Sequence, residues 1–414
     1  MPVLTLLHLS DIHLLGLDDE SIHDSFLELR EALEDDVRRL VVEHGRIDAI
    51  VIGGDVVAHG KPEQFEAATR WIDRLAAIAG CSHAEVFCVP GNHDIDRGPA
   101  QDDGVLALAQ EQLRYCPLEE IDSSLKRALL SPVKPEALLA PLRPYNDFAA
   151  PFDCPIEPNR LRWKRELPHR LAGRVVHLVG LTSPLVSGPR DARRLEDLAD
   201  DSRKMVMGTG QAFLHRNDGS IVIAVCHHPL HWLRDEQAIE ARLARAQVLL
   251  FGHEHALEIE GGGYRPIVVR AGAVQPEHDG KTTPAFNVLR LDTTNDQRLR
   301  VRVHARGWIE DDRGFGPMPG IADPTERTVP LPPSGESGAR PDEAPEDVPV
   351  AAPARRETIW RLMQSPPAVR RKALMDMEVL ATDAPSQPAD LVPSVRALDR
   401  HQRWGELAEL LDSL

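Results

Sequence analysis

The sequence predicts an α/β layered fold, and three observations carry that prediction. Short apolar runs alternate with longer amphipathic stretches through the first 256 residues. The runs are rich in Val, Ile and Leu almost throughout, as strands buried on both faces are. After residue 256 the pattern changes to period two, the mark of antiparallel strands with one open face.

In order, Val3–Ser10, Ala49–Gly53, Val86–Val89, Val175–Leu181, Ile221–Cys226 and Val248–Phe251 read as strands. Between the first two, Ser21–His44 places Phe26, Leu29, Leu33, Val37, Leu40 and Val41 at helical spacing. Pro62–Ala79 does the same with Phe65, Ala68, Ile72 and Leu75, and Pro62 sits where a first helical turn tolerates proline. This βαβ rhythm is that of a layered α/β protein. FNVLRL at 286–291 and LRVRVHARGW at 299–308 supply the late antiparallel strands. Asp96–Gly173 is less regular and proline-rich, and reads as an insertion or cap.

The composition shifts at residue 311. Ten of the 34 prolines fall within 311–356, with Gly, Ser and acids between them. Such a stretch buries no core and is expected to be a disordered linker. Residues 1–310 then form the folded body, and 357–414 a separate helical module. In that module Val369, Ala373, Met377 and Leu380 share one helix face, and Trp404, Leu407, Ala408 and Leu411 another. Its expected role is contact with a protein partner or a second copy of the chain.

The 414 residues carry 48 basic and 65 acidic groups, a net charge of −17. A chain this acidic is a poor non-specific binder of nucleic acid or anionic membrane. No run reaches the ~18 apolar residues of a membrane span. The start, MPVLTLLHLSD, has no basic region and no cleavage signal. Five scattered cysteines, Cys81, Cys88, Cys116, Cys154 and Cys226, argue against a disulfide framework. A cytoplasmic setting is expected.

The chemistry gathers at strand ends. Asp11-Ile12-His13, Gly54-Asp55 followed by Gly60, Gly91-Asn92-His93-Asp94, His227-His228-Pro229 and Gly252-His253-Glu254-His255 each follow an expected strand. Ligands of open α/β sheets bind at such ends. Asp, Asn and His are donors for Mn, Fe, Zn and similar ions. Seven candidate ligands exceed what one ion with an open position takes. They suit two ions about 3.5–4 Å apart that share a carboxylate.

This ordered set resembles the calcineurin-like metallophosphoesterase superfamily, whose pattern is DxH…GD…GNH(D/E)…H…GHxH, over roughly residues 3–305. Each motif alone is weak; all five in order make a specific signal. The resemblance implies a four-layer αββα sandwich. It implies one metal on Asp11, His13 and His255, a second on Asn92, His227 and His253, and Asp55 bridging them. Two divalent ions are expected, Mn²⁺ first, with Fe, Zn, Ni or Co as alternatives. In the family, a hydroxide between the ions attacks phosphorus in line. His93 would donate a proton to the leaving oxygen, with Asp94 accepting from its other ring nitrogen. The family's usual ligand is the histidine two before the proline, which favours His227 over His228. Arg97 reads first as a surface ion pair and second as a phosphate contact. Cys226 reads as a small buried hydrophobe, and His59, His177 and His231 as surface or core residues.

The GNHD and HHP forms and the acidity look most like bacterial cyclic-nucleotide phosphodiesterases, which implies a phosphodiester hydrolase acting on small nucleotides. The alternative is a DNA or RNA nuclease similar to the nuclease subunit of double-strand-break repair complexes, or a partner-recruited defence effector. For a nuclease, the 96–173 segment would grip DNA through residues such as Arg97, Arg114, Arg160, Arg165 and Arg170. A non-catalytic scaffold like the retromer subunit is disfavoured, because no ligand position is lost.

Overall fold

The structure is a computed structural model. It describes residues 2–16, 26–98, 104–130, 137–214, 219–276 and 282–332. The chain divides into Met1–Glu336 and Ser337–Leu414. The expected 357–414 module and most of the expected linker lie outside the described residues.

Two sheets form the centre of the first unit. The larger holds β1 (Leu4–Leu9), β2 (Ala49–Ile52), β3 (Val86–Cys88), β10 (Ala285–Thr293), β11 (Arg298–Ile309), β12 (Gly314–Pro317) and β13 (Thr325–Pro330). Its order is β12-β11-β10-β1-β2-β3, with β13 also on β11. The second holds β4 (Arg162–Leu171), β5 (Arg174–Leu181), β6 (Ile221–Cys226), β7 (Val248–Phe251), β8 (Glu258–Gly262) and β9 (Arg265–Arg270) in the order β4-β5-β6-β7-β9-β8. β1, β2 and β3 run parallel, as do β5, β6, β7 and β9. The predicted αββα sandwich is the observed class.

All residues of β1, β2, β3, β6 and β7 are buried, which is why their sequences are apolar without alternation. α1 (Leu27–His44) buries Leu33, Val37 and Leu40, and α2 (Pro62–Ala79) buries Phe65, Ala68, Ile72 and Leu75. Each of the Val, Leu, Ile and Phe side chains among these contributes about 1.5–3 kcal/mol through burial. α2 starts at Pro62, and Gln64 Oε1 accepts from the His59 amide at 2.9 Å, tying the helix to the loop after β2.

Two sequence expectations need correction. The 96–173 segment is not an insertion apart from the core. It holds α3 (Gly104–Tyr115), α4 (Ile121–Leu129), α5 (Arg143–Ala149) and the edge strand β4. Trp163 of β4 stacks on Phe87, and its Nε1–H donates to the Cys88 carbonyl at 2.9 Å. The Tyr145 hydroxyl donates to the same carbonyl at 3.0 Å. The segment thus satisfies and covers the open edge of β3, as a buried edge requires. Charged residues facing outward on β4 hid its period of two.

The folded body also continues past 310. β12 pairs with Arg306–Ile309 and β13 with Arg298–Val303, so the two share one long edge of β11. Phe315 and Val329 are buried, and Phe315 lies edge-on to Phe286 and Trp308. Pro317 and Pro330 in these short strands, and Pro324 just before the second, made them read as linker. A final helix, α6 (Glu236–Leu243), buries Ile239 and Leu243 before β7. No helix among the described residues is long and apolar enough to cross a membrane.

Candidate metal centre

The five signatures follow the C-terminal ends of β1, β2 and β3 in one sheet and β6 and β7 in the other. Backbone bonds lay the first loop on the second. The Asp11 amide donates to the Gly54 carbonyl at 3.0 Å, and the Ile12 and His13 amides donate to the Asp55 carbonyl at 2.8 and 3.0 Å. The His253 amide donates to Asp11 Oδ2 at 3.1 Å, which joins the second sheet to the first.

Asp11, His13, Asp55, His253 and His255 all have positive φ, between 49° and 72°. For residues with a Cβ this costs about 1–3 kcal/mol each and persists only where the surroundings over-determine it. Five of the seven expected ligands are held this way. Gly54 has φ +100°, and a Cβ there would lie 2.6 Å from His227 Nδ1. The bare backbone lets His227 approach.

The donor atoms converge. Those of Asp11, His13 and His255 lie within 4.8 Å of one another, as do those of Asp11, Asp55 and His227. His13, Asp55 and His93 form a third such group, and His227, His228 and His253 a fourth. Asp55 Oδ2 and Asn92 Oδ1 each stand 3.2 Å from His227 Nε2. His227 Nδ1 faces the Gly53 carbonyl at 2.9 Å and serves as the donor, which leaves Nε2 to the cluster. His13 Nε2 and His255 Nε2 lie 3.4 Å apart, with Asp11 Oδ1 3.2 Å from the latter.

The electrostatics call for positive charge. Burial disfavours charge on Asp11, but His255 outweighs it and holds the carboxyl well below the usual range. Burial likewise opposes ionisation of Asp55, and His227 and His93 outweigh it. Burial would lower His227, yet the Asp55 carboxylate pushes it up to about 9. Burial lowers His13 to about 4 and His253 to about 3, so both are neutral imidazoles with a lone pair to give. Ionised carboxylates, an amide oxygen and the neutral imidazoles of His13 and His253 fit divalent transition-metal ions, and an ion bound at His227 would replace the proton that Asp55 favours there.

His93 stands beside the cluster, its ring centroid 4.7 Å from that of His13. Its amide donates to Asp55 Oδ1 at 2.7 Å. Its expected link to Asp94 is corrected. His93 Nδ1 instead meets the Ala58 carbonyl at 2.9 Å. Asp94 is fully buried and accepts from the Val57 and Gly91 amides at 3.0 and 2.9 Å. Its carboxylate braces the two loops because their backbone N–H groups point inward there and need an acceptor. A backbone carbonyl as the partner of His93 leaves no trace in sequence.

Arg97 does not make the expected ion pair among the described residues; its Nη2 reaches the Asn92 carbonyl at 3.5 Å. Cys226 is buried and unpaired. His59 is exposed and His177 lies on β5. Three neighbours had no sequence signal. Ser183 Oγ lies 2.7 Å from His228 Nδ1. The Trp232 ring meets the His253 ring edge-on at 4.1 Å, and Glu254 accepts from Trp232 Nε1 at 3.0 Å and contacts His231 at 2.7 Å.

Residues 4–257 match the family model for calcineurin-like phosphoesterases. Solved structures with similar folds include a dimetal phosphatase from Danio rerio, 14% identical, with a TM-score of 0.38 over 80% of this chain and 100% of that one. A conserved Streptococcus pneumoniae protein predicted to be a phosphoesterase is 12% identical, with a TM-score of 0.31 over 79% of this chain and 99% of its own. Wild-type Vps29 of Entamoeba histolytica, complexed with zinc, is 12% identical, with a TM-score of 0.29 over 79% and 98%. Likeness this distant assigns no substrate. No curated relative matches the chain.

Proposed function

This chain belongs to the calcineurin-like phosphoesterase family, and from that premise we propose that it hydrolyses phosphodiester bonds in cyclic or other small nucleotides. The observation that carries the proposal is the position of Asp55, whose carboxylate belongs to two donor groups at once. Asp11, His13 and His255 would hold one divalent ion, and Asn92, His227 and His253 the other, with Asp55 between them. His227 is preferred to His228 because its Nε2 faces both Asp55 and Asn92. Bound ions would supply positive charge to the phosphoryl oxygens and make water a stronger acid there.

The chain's own residues then orient and protonate. Donation from His93 Nδ1 to the Ala58 carbonyl sets the ring and leaves Nε2 as the atom to protonate a leaving oxygen. Asp94 braces the loop that carries Asn92 and His93.

Charge pairing favours a small substrate over nucleic acid. Arg114 is buried against Asp191 at 2.5 Å, Arg160 and Arg165 pair with Asp153, and Arg170 pairs with Glu166. Side chains so engaged are poorly placed to form a phosphate-tracking groove. The test is a Mn²⁺-dependent activity panel of bis-p-nitrophenyl phosphate, cyclic mononucleotides, and single- and double-stranded DNA, with Asp55→Ala as control. Turnover of cyclic nucleotides, lost together with bound metal in the control, is expected. Cleavage of DNA alone would replace the small-nucleotide reading by a nuclease, and two ions retained by Asp55→Ala would sink the shared carboxylate.

A further inference from the structure

Metal-binding histidines usually have the second ring nitrogen fixed by a hydrogen bond, which sets tautomer and ring angle. His227 follows that rule through the Gly53 carbonyl. His253 does not. Its backbone amide donates to Asp11, but no hydrogen bond to its ring occurs among the described residues. Three rings flank it instead, the most distant being His227, edge-on at 5.2 Å. Trp232 stands at 87° with a centroid distance of 4.1 Å, and His228 is tilted against it at 4.4 Å.

Trp232 is itself anchored. It is buried, and its Nε1–H donates to Glu254 Oε1 at 3.0 Å. The same carboxylate is 2.7 Å from His231 Nε2 and 3.2 Å from Arg270 Nε. Glu254 is thus held from two further sides, one of them Arg270, which also pairs with Glu258 and Glu260. The residue between His253 and His255 therefore turns back under Trp232 rather than towards the donor cluster.

We propose that Trp232, anchored by Glu254, is the positioning residue for His253, taking by ring contact the place that a hydrogen bond takes at His227. Aromatic edge-to-face contacts are directional enough to select one ring orientation. The inference rests on the proposed two-ion reading, because it concerns the geometry of one proposed ligand. It distinguishes the two proposed ligand sets by the ring that flanks them: an indole beside His253, and the His93 imidazole, edge-on at 4.7 Å, beside His13.

The test is direct binding of metal to the full chain, followed by Co²⁺ absorption and Mn²⁺ calorimetry. Trp232→Leu is expected to weaken one of two binding steps by about 10–100-fold, the usual effect of losing a group that orients a ligand, and to leave the other step unchanged. Trp232→Phe keeps a ring edge and should recover most of that loss. Glu254→Ala should weaken the same step, and the Trp232→Leu/Glu254→Ala double variant should be no worse than Trp232→Leu alone. Glu111→Gln, a partner of Arg190 outside this set of contacts, is the control for general damage. Unchanged binding in Trp232→Leu would overturn the inference, as would equal weakening of both steps or multiplied losses in the double variant. If the unaltered chain bound no divalent ion, the two-ion reading would fall first and this inference with it. Should Trp232→Leu fail to fold, Trp232→Phe against Glu254→Ala still decides: the inference needs the latter to lose more.

Discussion

Gly91 and Asp55 touch so closely that a Cβ on Gly91 would lie 2.1 Å from Asp55 Oδ1 and 2.4 Å from the Asp55 amide. The loop after β3 lies directly on the loop after β2, and only a bare backbone permits it. Both carry proposed ligands, so the contact sets the spacing between Asp55 and Asn92.

Gly91→Ala should therefore act on stability and metal together. Overpacking against backbone costs about 1–3 kcal/mol. We expect a loss of about 2 kcal/mol in urea unfolding and at least about tenfold weaker Mn²⁺ binding. Gly104→Ala, where nothing lies within 4 Å of an added Cβ, should do neither. Normal Mn²⁺ affinity in Gly91→Ala would show that the loops can separate without disturbing the donors.

His93→Ala should keep its metal. The link from residue 93 to Asp55 is through the amide, which alanine retains, while the ring is not a proposed ligand. Turnover should fall by about 10²–10⁴-fold, the range for losing a positioned acid. The fall should be smaller for p-nitrophenolate than for an alkoxide leaving group, since the former needs no proton. Equal falls with both, measured on paired diesters, would leave His93 only a charge-stabilising role.

His8 gives a pH dependence with a defined sign. It is fully buried on β1, and among the described residues neither ring nitrogen has a hydrogen bond. Burial lowers its pKa to about 3, against a slight upward pull from Asp11. The unfolded chain binds this proton near pH 6.5 and the folded chain does not, so stability falls as pH drops below 6.5. The contribution approaches about 1.4 kcal/mol per pH unit between pH 6 and 4. His8→Phe should flatten the acid arm of stability by that slope, read by urea unfolding at several pH values. An unchanged slope would mean that His8 finds a proton partner in the fold.

Truncation separates the two possible ends of the folded body. A 1–310 fragment lacks β12 and β13 and leaves the long edge of β11 open, with Phe286 and Trp308 uncovered. It should aggregate or unfold at lower urea. A 1–332 fragment keeps both strands and should hold its metal, with small-diester turnover within about threefold of full length, under about 1 kcal/mol of barrier. Equal solubility and stability of the two fragments would make the last strands dispensable.

The sequence by itself determined the fold class, the strands β1, β2, β3, β5, β6 and β7, and the residues that meet at their ends. Buried parallel strands must be apolar on both faces, and the chemistry must sit where they stop, so both leave a local mark. β4, β12 and β13 left a weaker one, because edge strands bury only alternate residues and tolerate charge and proline. Tertiary structure alone decided that His93 leans on the Ala58 carbonyl, that Asp94 braces backbone amides, and that Trp232 walls His253. Each of these partners comes from a different loop, and two of them are backbone atoms. Sequence records which side chain a position carries; only the packing of two sheets decides which main-chain group or ring stands beside it.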